Sequence, residues 1–148
     1  MSRPRVVFIG TGGTISSLGK GPLDTVDYGS TGNMMDAEGI LARFPEVQLV
    51  ADVFPVPFSA VPSPNIHFPE WKALVLLCDK VVAENPGLAG IVIGHGTASL
   101  EETAYALHLA AKVPVPIVVT GSQRPASALS TDAGLNLVNS VRVAADPL

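Results

Sequence analysis

A short apolar run followed at once by a glycine-rich turn limits most strongly how this chain can fold. Val6 to Ile9 is wholly apolar, and residues 10–16 read Gly-Thr-Gly-Gly-Thr-Ile-Ser. Such a run is typical of a strand buried on both faces of a sheet. A turn after it places N–H groups and hydroxyls at the carboxyl edge, where open α/β sheets bind ligands. Thr11 and Thr14 are therefore candidates to contact a substrate, and a threonine hydroxyl can act as a nucleophile if a base activates it. The alternative is a glycine turn that the threonines merely cap.

Strand-like and helix-like segments alternate along the rest of the chain. The patterns predict further strands at 47–56, 90–94 and 116–120. They also predict a short helix that begins at Asp36, a helix that ends near residue 84, and two helices that span 99–112 and 131–145. Ser99 with Glu102 three residues later predicts a capping box. The order predicts an α/β fold with a doubly wound, mostly parallel sheet, Rossmann-like and three-layered, with helices on both faces. Residues 16–34 are rich in Gly, Ser, Pro and Asp and predict a long flexible loop or hairpin, a potential lid that contains Tyr28.

The composition excludes several classes of protein. A chain of 148 residues suits one domain, and 47% hydrophobic against 15% charged residues indicates a globular protein. The net charge of −4, without a basic cluster, argues against a nucleic-acid partner. No run approaches the roughly 18 apolar residues of a membrane span, and the apolar run at 6–9 is too short for a signal peptide, so we expect a cytoplasmic protein. Cys78 is the only cysteine and is expected to be a small core residue.

Two later loops, at 94–99 and 120–125, also come directly after predicted strands. Because parallel strands share one carboxyl edge, Thr14, Thr97 and Ser122 are expected to converge there. The helix that begins near Ser99 offers N–H groups and partial positive charge that suit a carboxylate or an oxyanion. The alternatives are that Thr97 and Ser99 only cap the helix, and that His95 is a loop histidine satisfied by the backbone.

The motifs of several cofactor-binding sites are absent from the sequence. Residues 10–14 lack the third glycine of the dinucleotide fingerprint, and no phosphate-binding loop with its lysine is present. No residues have the spacing of metalloenzyme ligands. Glu101 and Glu102 are accounted for by the dipole of the helix they begin. We therefore expect no cofactor and no metal.

Three segments together resemble the bacterial-type L-asparaginase/glutaminase family. They are Thr-Gly-Gly-Thr-Ile at 11–15, His-Gly-Thr at 95–97 with Glu-Glu-Thr-Ala-Tyr at 101–105, and Gly-Ser-Gln-Arg-Pro at 121–125. The resemblance covers essentially all 148 residues and implies the family's N-terminal α/β domain, without its smaller C-terminal domain. It also implies a homo-oligomer, a dimer or tetramer. Since residues 144–148 end a helix where such a fold adds a strand, residues 1–148 are expected to be one domain truncated at its C-terminal end.

The resemblance also implies roles for individual residues. Thr14 is the nucleophile that attacks a side-chain amide, and Tyr28 supports and activates it. Thr97 matches the family's second catalytic threonine. Ser63 matches a serine that holds the substrate α-carboxylate, and Ser122 a position whose carbonyl orients the amide nitrogen. The product would be a carboxylate and ammonia, formed through an acyl-threonine ester.

The substrate-binding set includes Gly13 and Gly96, beside the two threonines, and Ala98. Where the family has an aspartate that receives the substrate α-ammonium, this chain has Ala98, and Pro64 replaces a family glutamine. These departures imply a substrate without a free α-amino group or a weakened asparaginase activity. The family's catalytic lysine would lie beyond Leu148, so this chain alone is expected to be inactive.

Two other classes of function remain open from the sequence. The leading hypothesis is an asparaginase-like amidohydrolase acting on a small-molecule amide. The first alternative is a catalytically silent domain of the same fold that binds a small molecule. The second is a purely structural or assembly domain.

Overall fold

The fold is a parallel sheet between two layers of helices, and the computed structural model describes residues 3–146. The strands are β1 (Arg5–Gly10), β2 (Asp52–Val56), β3 (Leu88–Gly94) and β4 (Ile117–Thr120), in the order β2-β1-β3-β4 and parallel in every pairing. The helices are α1 (Ala37–Arg43), α2 (Phe68–Glu84), α3 (Leu100–Ala110) and α4 (Ala133–Ala145). The predicted α/β class and parallel sheet are confirmed.

Both faces of the sheet are buried, as the continuous apolar strands predict. Side chains alternate along each strand, so Phe8 faces one layer and Ile9 the other. One core cluster joins Phe8 to α1 and α4 through Ile40 and Leu137. The other joins Ile9 to α2 and α3, with Leu74 among its buried members. The three-layer arrangement is therefore confirmed.

The strand order creates a crevice between β1 and β3. The chain passes from β1 to β2 on one side, then crosses back to place β3 on the other side of β1. The helix after β1 packs on one face of the sheet, and the helix after β3 packs on the opposite face. The connections from these two adjacent strands diverge, and a ligand crevice opens at such a switch point. The glycine turn and the His-Gly-Thr loop leave the sheet here.

The second strand is shorter than the sequence indicates. Residues Pro45–Leu49 form a short 3-10 helix, and β2 begins only at Asp52. Proline with its fixed φ suits the first position of a helix, and Val47 is fully buried against the core. The Gln48 side chain bonds both the N–H and the carbonyl of Val53, which fixes the short helix against the strand. The apolar run at 47–56 therefore contains two elements, and the prediction of one strand is wrong.

The predicted capping box at Ser99 is also wrong. The Ser99 side chain makes no capping bond at α3, because its hydroxyl donates to the Ser63 carbonyl at 2.8 Å. The prediction for α1 is confirmed: Asp36 accepts from the Gly39 N–H at 2.8 Å. Ser99 instead ties the start of α3 to the loop after β2, which brings a third loop to the crevice.

The remaining sequence expectations concern single residues and the chain ends. Cys78 is fully buried, and burial raises the pKa of its thiol to about 12, so it is an inert core residue as expected. Between residues 3 and 146, no helix is long and apolar enough to cross a membrane. The expected continuation after residue 145 involves Pro147 and Leu148, which lie outside the described residues, as do Met1 and Ser2.

Candidate active site

Two glycines bring the loops at the crevice into backbone contact. Gly13 has φ 80°, and a Cβ there would lie 2.2 Å from the Cα of Gly96. Gly12 has φ 100°, and its Cβ would lie 2.4 Å from the Val61 carbonyl oxygen. L-residues rarely adopt these conformations, and the space is taken by backbone, so only glycine fits. The loops after β1, β2 and β3 therefore meet with no side chain between them.

The turn after Gly13 is fixed by one carbonyl group. The Gly13 oxygen accepts from the Ser16 N–H at 3.1 Å and from the hydroxyls of Ser16 and Ser17, each at 2.9 Å. This cluster holds a short 3-10 helix at Thr14–Ser16. Thr14 begins that helix and is only partly buried, so its hydroxyl is held at a fixed point of the crevice.

Tyr28 reaches Thr14 from a hairpin-like segment that lies over the crevice. The two hydroxyl oxygens are 3.1 Å apart, within hydrogen-bond distance. Ser17 pairs with Met34 at the base of the segment, and a 3-10 helix carries Tyr28 near its tip. The Thr31 hydroxyl donates to the carbonyls of Leu18 and Tyr28, at 2.8 and 2.9 Å. A single antiparallel bridge closes the segment at its base, and turns and the 3-10 helix make up the rest, so it is a long loop with the ends of a hairpin.

The hairpin is also attached to the loop that follows β4. The Gly19 N–H donates to the Ser127 hydroxyl at 2.8 Å, and the Leu129 N–H donates to the Pro22 carbonyl at 2.9 Å. Both contacts join segments more than 100 residues apart in the chain. The position of Tyr28 over Thr14 therefore depends on the packing of the whole domain.

These loops enclose a cleft of about 300 Å³. Most of the residues expected at the site line it: Thr14, Tyr28, Thr97, Ser63, Gly13, Gly96 and Ala98. Ser122 does not line it, and its hydroxyl donates to the Arg124 carbonyl at 2.8 Å. Thr11 is fully buried and bonds the Gly94 carbonyl through both its N–H and its hydroxyl, at 2.9 Å. The prediction that Thr11 contacts a substrate is therefore wrong, since it ties β1 to β3.

The cleft offers hydrogen-bond donors that the protein does not use. Ser63 is 3% exposed, and its hydroxyl has no partner among residues 3–146. A Cβ on Gly96 would lie 2.6 Å from that hydroxyl, which places Ser63 directly against the His-Gly-Thr loop. The backbone N–H groups of Thr14 and Thr97 likewise donate to no acceptor in the described part of the chain. Unused donors around a small cleft suit an anionic or developing negative charge.

His95 belongs to the support of the site rather than to its surface. It is fully buried, and burial lowers the pKa of its imidazole below the usual 6.5. Its Nδ1 donates to the Gly96 carbonyl at 2.7 Å, because a carbonyl can only accept. Its neutral Nε2 therefore accepts from the Thr103 hydroxyl at 2.8 Å, and the Trp71 indole N–H donates to Thr103 at 2.9 Å. His95 is satisfied within the fold, and this chain of bonds fixes the loop that carries Thr97.

The cleft is uncharged apart from its partial dipoles. None of the described lining residues is Lys, Arg, His, Asp or Glu. Thr14 consequently has a hydroxyl partner in Tyr28 but no ionisable base beside it within residues 3–146. The chain thus provides a candidate nucleophile and donors for an oxyanion.

Asp132 anchors the loop at 121–125 beside the cleft. Its carboxylate accepts from the N–H groups of Gln123 and Arg124, both at 3.0 Å, and from the Asn136 side chain at 3.0 Å. Burial raises the pKa of Asp132, but these hydrogen bonds outweigh it and hold the pKa below the usual 3.8. Sequence reasoning missed this role, although an acidic residue just before a helix is a recognisable signal.

Four further lining residues were missed from the sequence, and one of them, Gly29, directly follows Tyr28. Met34 and Ser17 reach the cleft because they pair across the base of the hairpin, and Pro62 reaches it beside Ser63. Their positions depend on the pairing of the hairpin and on the packing between loops. No local pattern in the sequence signals either feature.

The domain has a parallel α/β fold, and its switch point presents a threonine hydroxyl and unused N–H donors, as sites for small molecules do. Sequence comparison identifies the family. The family described as Asparaginase, N-terminal matches residues 5–148, so the chain belongs to the asparaginase family. It is 35% identical over 146 residues to L-asparaginase 2 of Bacillus subtilis, covering 97% of this chain and 38% of that protein. It is 38% identical over 141 residues to glutaminase-asparaginase of Pseudomonas fluorescens biotype A, covering 94% and 38%.

A solved structure supports the same assignment. The probable cytoplasmic L-asparaginase from Campylobacter jejuni superposes with a TM-score of 0.87 at 32% identity, over 98% of this chain and 43% of that one. The chain therefore spans about two fifths of the length of the relatives it matches. The recognition of the family from three motifs is confirmed.

Proposed function

We propose that this domain supplies the nucleophile of an amidohydrolase that converts a side-chain carboxamide to a carboxylate and ammonia. The hydrogen bond of 3.1 Å between Thr14 and Tyr28, at the mouth of the cleft, carries the proposal. Relatives named L-asparaginase and glutaminase-asparaginase support the type of reaction.

The proposed reaction has two halves. Thr14 Oγ1 attacks the amide carbonyl carbon while its proton passes toward the Tyr28 hydroxyl. The N–H groups of Thr14 and Thr97 receive the developing oxyanion, and donors so placed commonly contribute about 3 kcal/mol. The C–N bond breaks, and the nitrogen takes a proton and leaves as ammonia. Water then attacks the acyl-threonine ester, which releases the carboxylate and restores Thr14.

We propose a supporting part for each of the other predicted residues. Thr97 directs the attacking group or water, since its side chain lines the cleft beside Gly96. Ser63, with its unused hydroxyl, binds the carboxylate end of the substrate. Ser122 acts through its carbonyl, just outside the lining, and no cofactor takes part. The base that finally accepts the Thr14 proton comes from a part of the site outside the described residues, as the resemblance implies for the family lysine.

The whole protein is proposed to act in the cytoplasm as a homo-oligomer, a dimer or tetramer. Support for the compartment comes from the Campylobacter jejuni relative, which is named a cytoplasmic enzyme. Support for assembly comes from apolar side chains on the outer helices, such as Leu76, Tyr105 and Leu109, which are 58–67% exposed. Light scattering tests the assembly. A mass of 15.3 kDa would show a monomer of this chain, and a multiple of that mass would show a dimer or tetramer.

The experiment that tests the function follows the carboxylate product. The chain is incubated with asparagine, glutamine and succinamate, with a primary alkylamine as an external base, and the product acid is quantified by NMR. We expect slow hydrolysis that depends on Thr14 and is lost in Thr14→Ala. Thr25→Ala is the matched control, because Thr25 is exposed and its hydroxyl makes no hydrogen bond within residues 3–146. Ligand binding without any Thr14-dependent product would favour the silent binding domain instead.

A further inference from the structure

The charge pattern of the cleft restricts which amides fit it. The side chains that line it are hydroxyls or apolar groups, and no described lining residue carries a negative charge. An ammonium group removed from water needs an anionic partner, whereas a carboxylate needs only donors. Among residues 3–146 the cleft has unused donors but no anion, so the electrostatics of this part of the site discriminate against a cationic substituent.

Ala98 lies where this discrimination is strongest. It lines the cleft, is exposed, and stands between Thr97 and the first residues of α3. The N-terminus of a helix carries partial positive charge, which repels an ammonium and attracts a carboxylate. The neighbouring Ser99 hydroxyl donates to the Ser63 carbonyl at 2.8 Å and is neutral, so it supplies no counter-charge for an ammonium.

A second observation indicates a carboxylate at the same place. The Ser63 side chain is 97% buried by the packing of the loops, yet its hydroxyl lines the cleft without a partner among residues 3–146. No fully buried side-chain oxygen of the described residues lacks a partner, so the Ser63 hydroxyl faces the open space of the cleft and is free to donate to a ligand oxygen. Beside it, Pro62 and Pro64 carry no charge, so neither offers a counter-charge to an ammonium.

We propose that the natural substrate is a short ω-amide of a dicarboxylic acid that carries no ammonium group, of the type represented by succinamate. This inference rests on the proposed function for the reaction, but it concerns only which molecule the cleft binds. The carboxylate contacts Ser63 and the start of α3, the amide faces Thr14, and the carbon that bears the ammonium in asparagine faces Ala98. At this position asparagine exposes its ammonium to a wall on which the described residues provide no counter-charge.

Binding measurements on this chain test the proposal independently of turnover. Dissociation constants for succinamate, asparagine, succinate and L-aspartate are measured by ligand-observed NMR at neutral pH. We expect succinamate to bind at least about thirtyfold more tightly than asparagine, since a missing charge partner of this kind costs that much or more. For the same reason, succinate is expected to bind more tightly than L-aspartate.

A single substitution is expected to reverse the preference. Ala98→Asp supplies the missing anion, so the variant binds asparagine and L-aspartate more tightly and succinamate less tightly than the natural chain does. Ala73→Asp is the matched control, because Ala73 is exposed on α2 and does not line the cleft. This control adds the same charge and is expected to keep the original order of affinities.

The outcomes separate this proposal from the proposed function. If asparagine binds as tightly as succinamate in the natural chain, if succinamate does not bind, or if Ala98→Asp leaves the order unchanged, the substrate class is wrong. A correct order of affinities without Thr14-dependent hydrolysis upholds the ligand class and overturns the reaction. Thr14-dependent hydrolysis that prefers asparagine upholds the reaction and overturns the ligand class.

Discussion

The Thr14 hydroxyl lies 3.1 Å from the Tyr28 hydroxyl, although the first belongs to a turn at the sheet and the second to a hairpin above it. The contact depends on the glycines that let the loops meet and on the bonds that attach the hairpin to the loop after β4. It gives the Thr14 hydroxyl a hydrogen-bond partner in the cleft.

Tyr28→Phe is expected to lower the rate of the chemical step and to change substrate affinity little. The phenyl ring keeps the shape of the hairpin, but Thr14 loses the hydroxyl that assists its proton transfer. Such assistance contributes a hundredfold or more, so we expect kcat to fall by about a hundredfold with KM nearly constant. Steady-state kinetics of product formation, with the primary alkylamine present as external base, measure both constants. An unchanged kcat would show that Tyr28 does not activate Thr14.

Gly13→Ala is expected to destabilise the domain by more than about 1 kcal/mol. The new Cβ would require φ 80° and would lie 2.2 Å from the Gly96 backbone, so the two loops must separate. Gly21→Ala is the control, because a Cβ there meets nothing within 4 Å and its φ is not positive. Urea unfolding of both variants gives the comparison. Equal free energies of unfolding would contradict the backbone contact.

Thr103→Val is expected to cost about 1–3 kcal/mol of stability. The valine keeps the volume but leaves the Trp71 N–H and the His95 Nε2 without the partner they share. Thr103→Ser keeps the hydroxyl and is expected to restore most of the loss. Both variants are measured by chemical denaturation. If serine proves no better than valine, the methyl group and not the hydrogen-bond chain accounts for the effect.

The stability of the domain is expected to fall as the pH drops below about 6.5. Burial lowers the pKa of His95 in the folded state, so the unfolded chain binds this proton more readily. The contribution of His95 to the free energy of unfolding is constant above the pKa of the histidine in the unfolded chain. It decreases as the pH falls from that value to the lower pKa of His95 in the folded chain. The free energy of unfolding is measured from pH 7.5 downward. His95→Gln is expected to remove this slope, and an identical slope in the variant would refute the assignment to His95.

The sequence predicts the local elements well because local patterns determine them. The apolar runs at 6–9 and 90–94 and the glycine turn at 10–13 indicate buried strands and a tight turn, and the structure has both. The run at 47–56 misleads because an apolar stretch has no clear period and can hold a short helix and a strand. Ser99 misleads because a tertiary partner, the Ser63 carbonyl, takes the hydroxyl that capping needs.

The candidate site is less accessible to sequence reasoning because it depends on tertiary contacts. The convergence of Thr14 and Thr97 could be predicted from the shared edge of parallel strands, and both line the cleft. The strand order that creates the crevice is not encoded in any single motif. The same holds for the bonds from Trp71 through Thr103 to His95, which link a helix, a second helix and a loop.

The most direct test of the account compares hydrolysis of an amide by the natural chain and by Thr14→Ala. Succinamate is supplied with a primary alkylamine as external base, and the succinate formed is quantified by NMR, with Thr25→Ala as the control. The account predicts product from the natural chain and from Thr25→Ala, and none above background from Thr14→Ala. Equal rates in the natural chain and Thr14→Ala would contradict the assignment of Thr14 as the nucleophile.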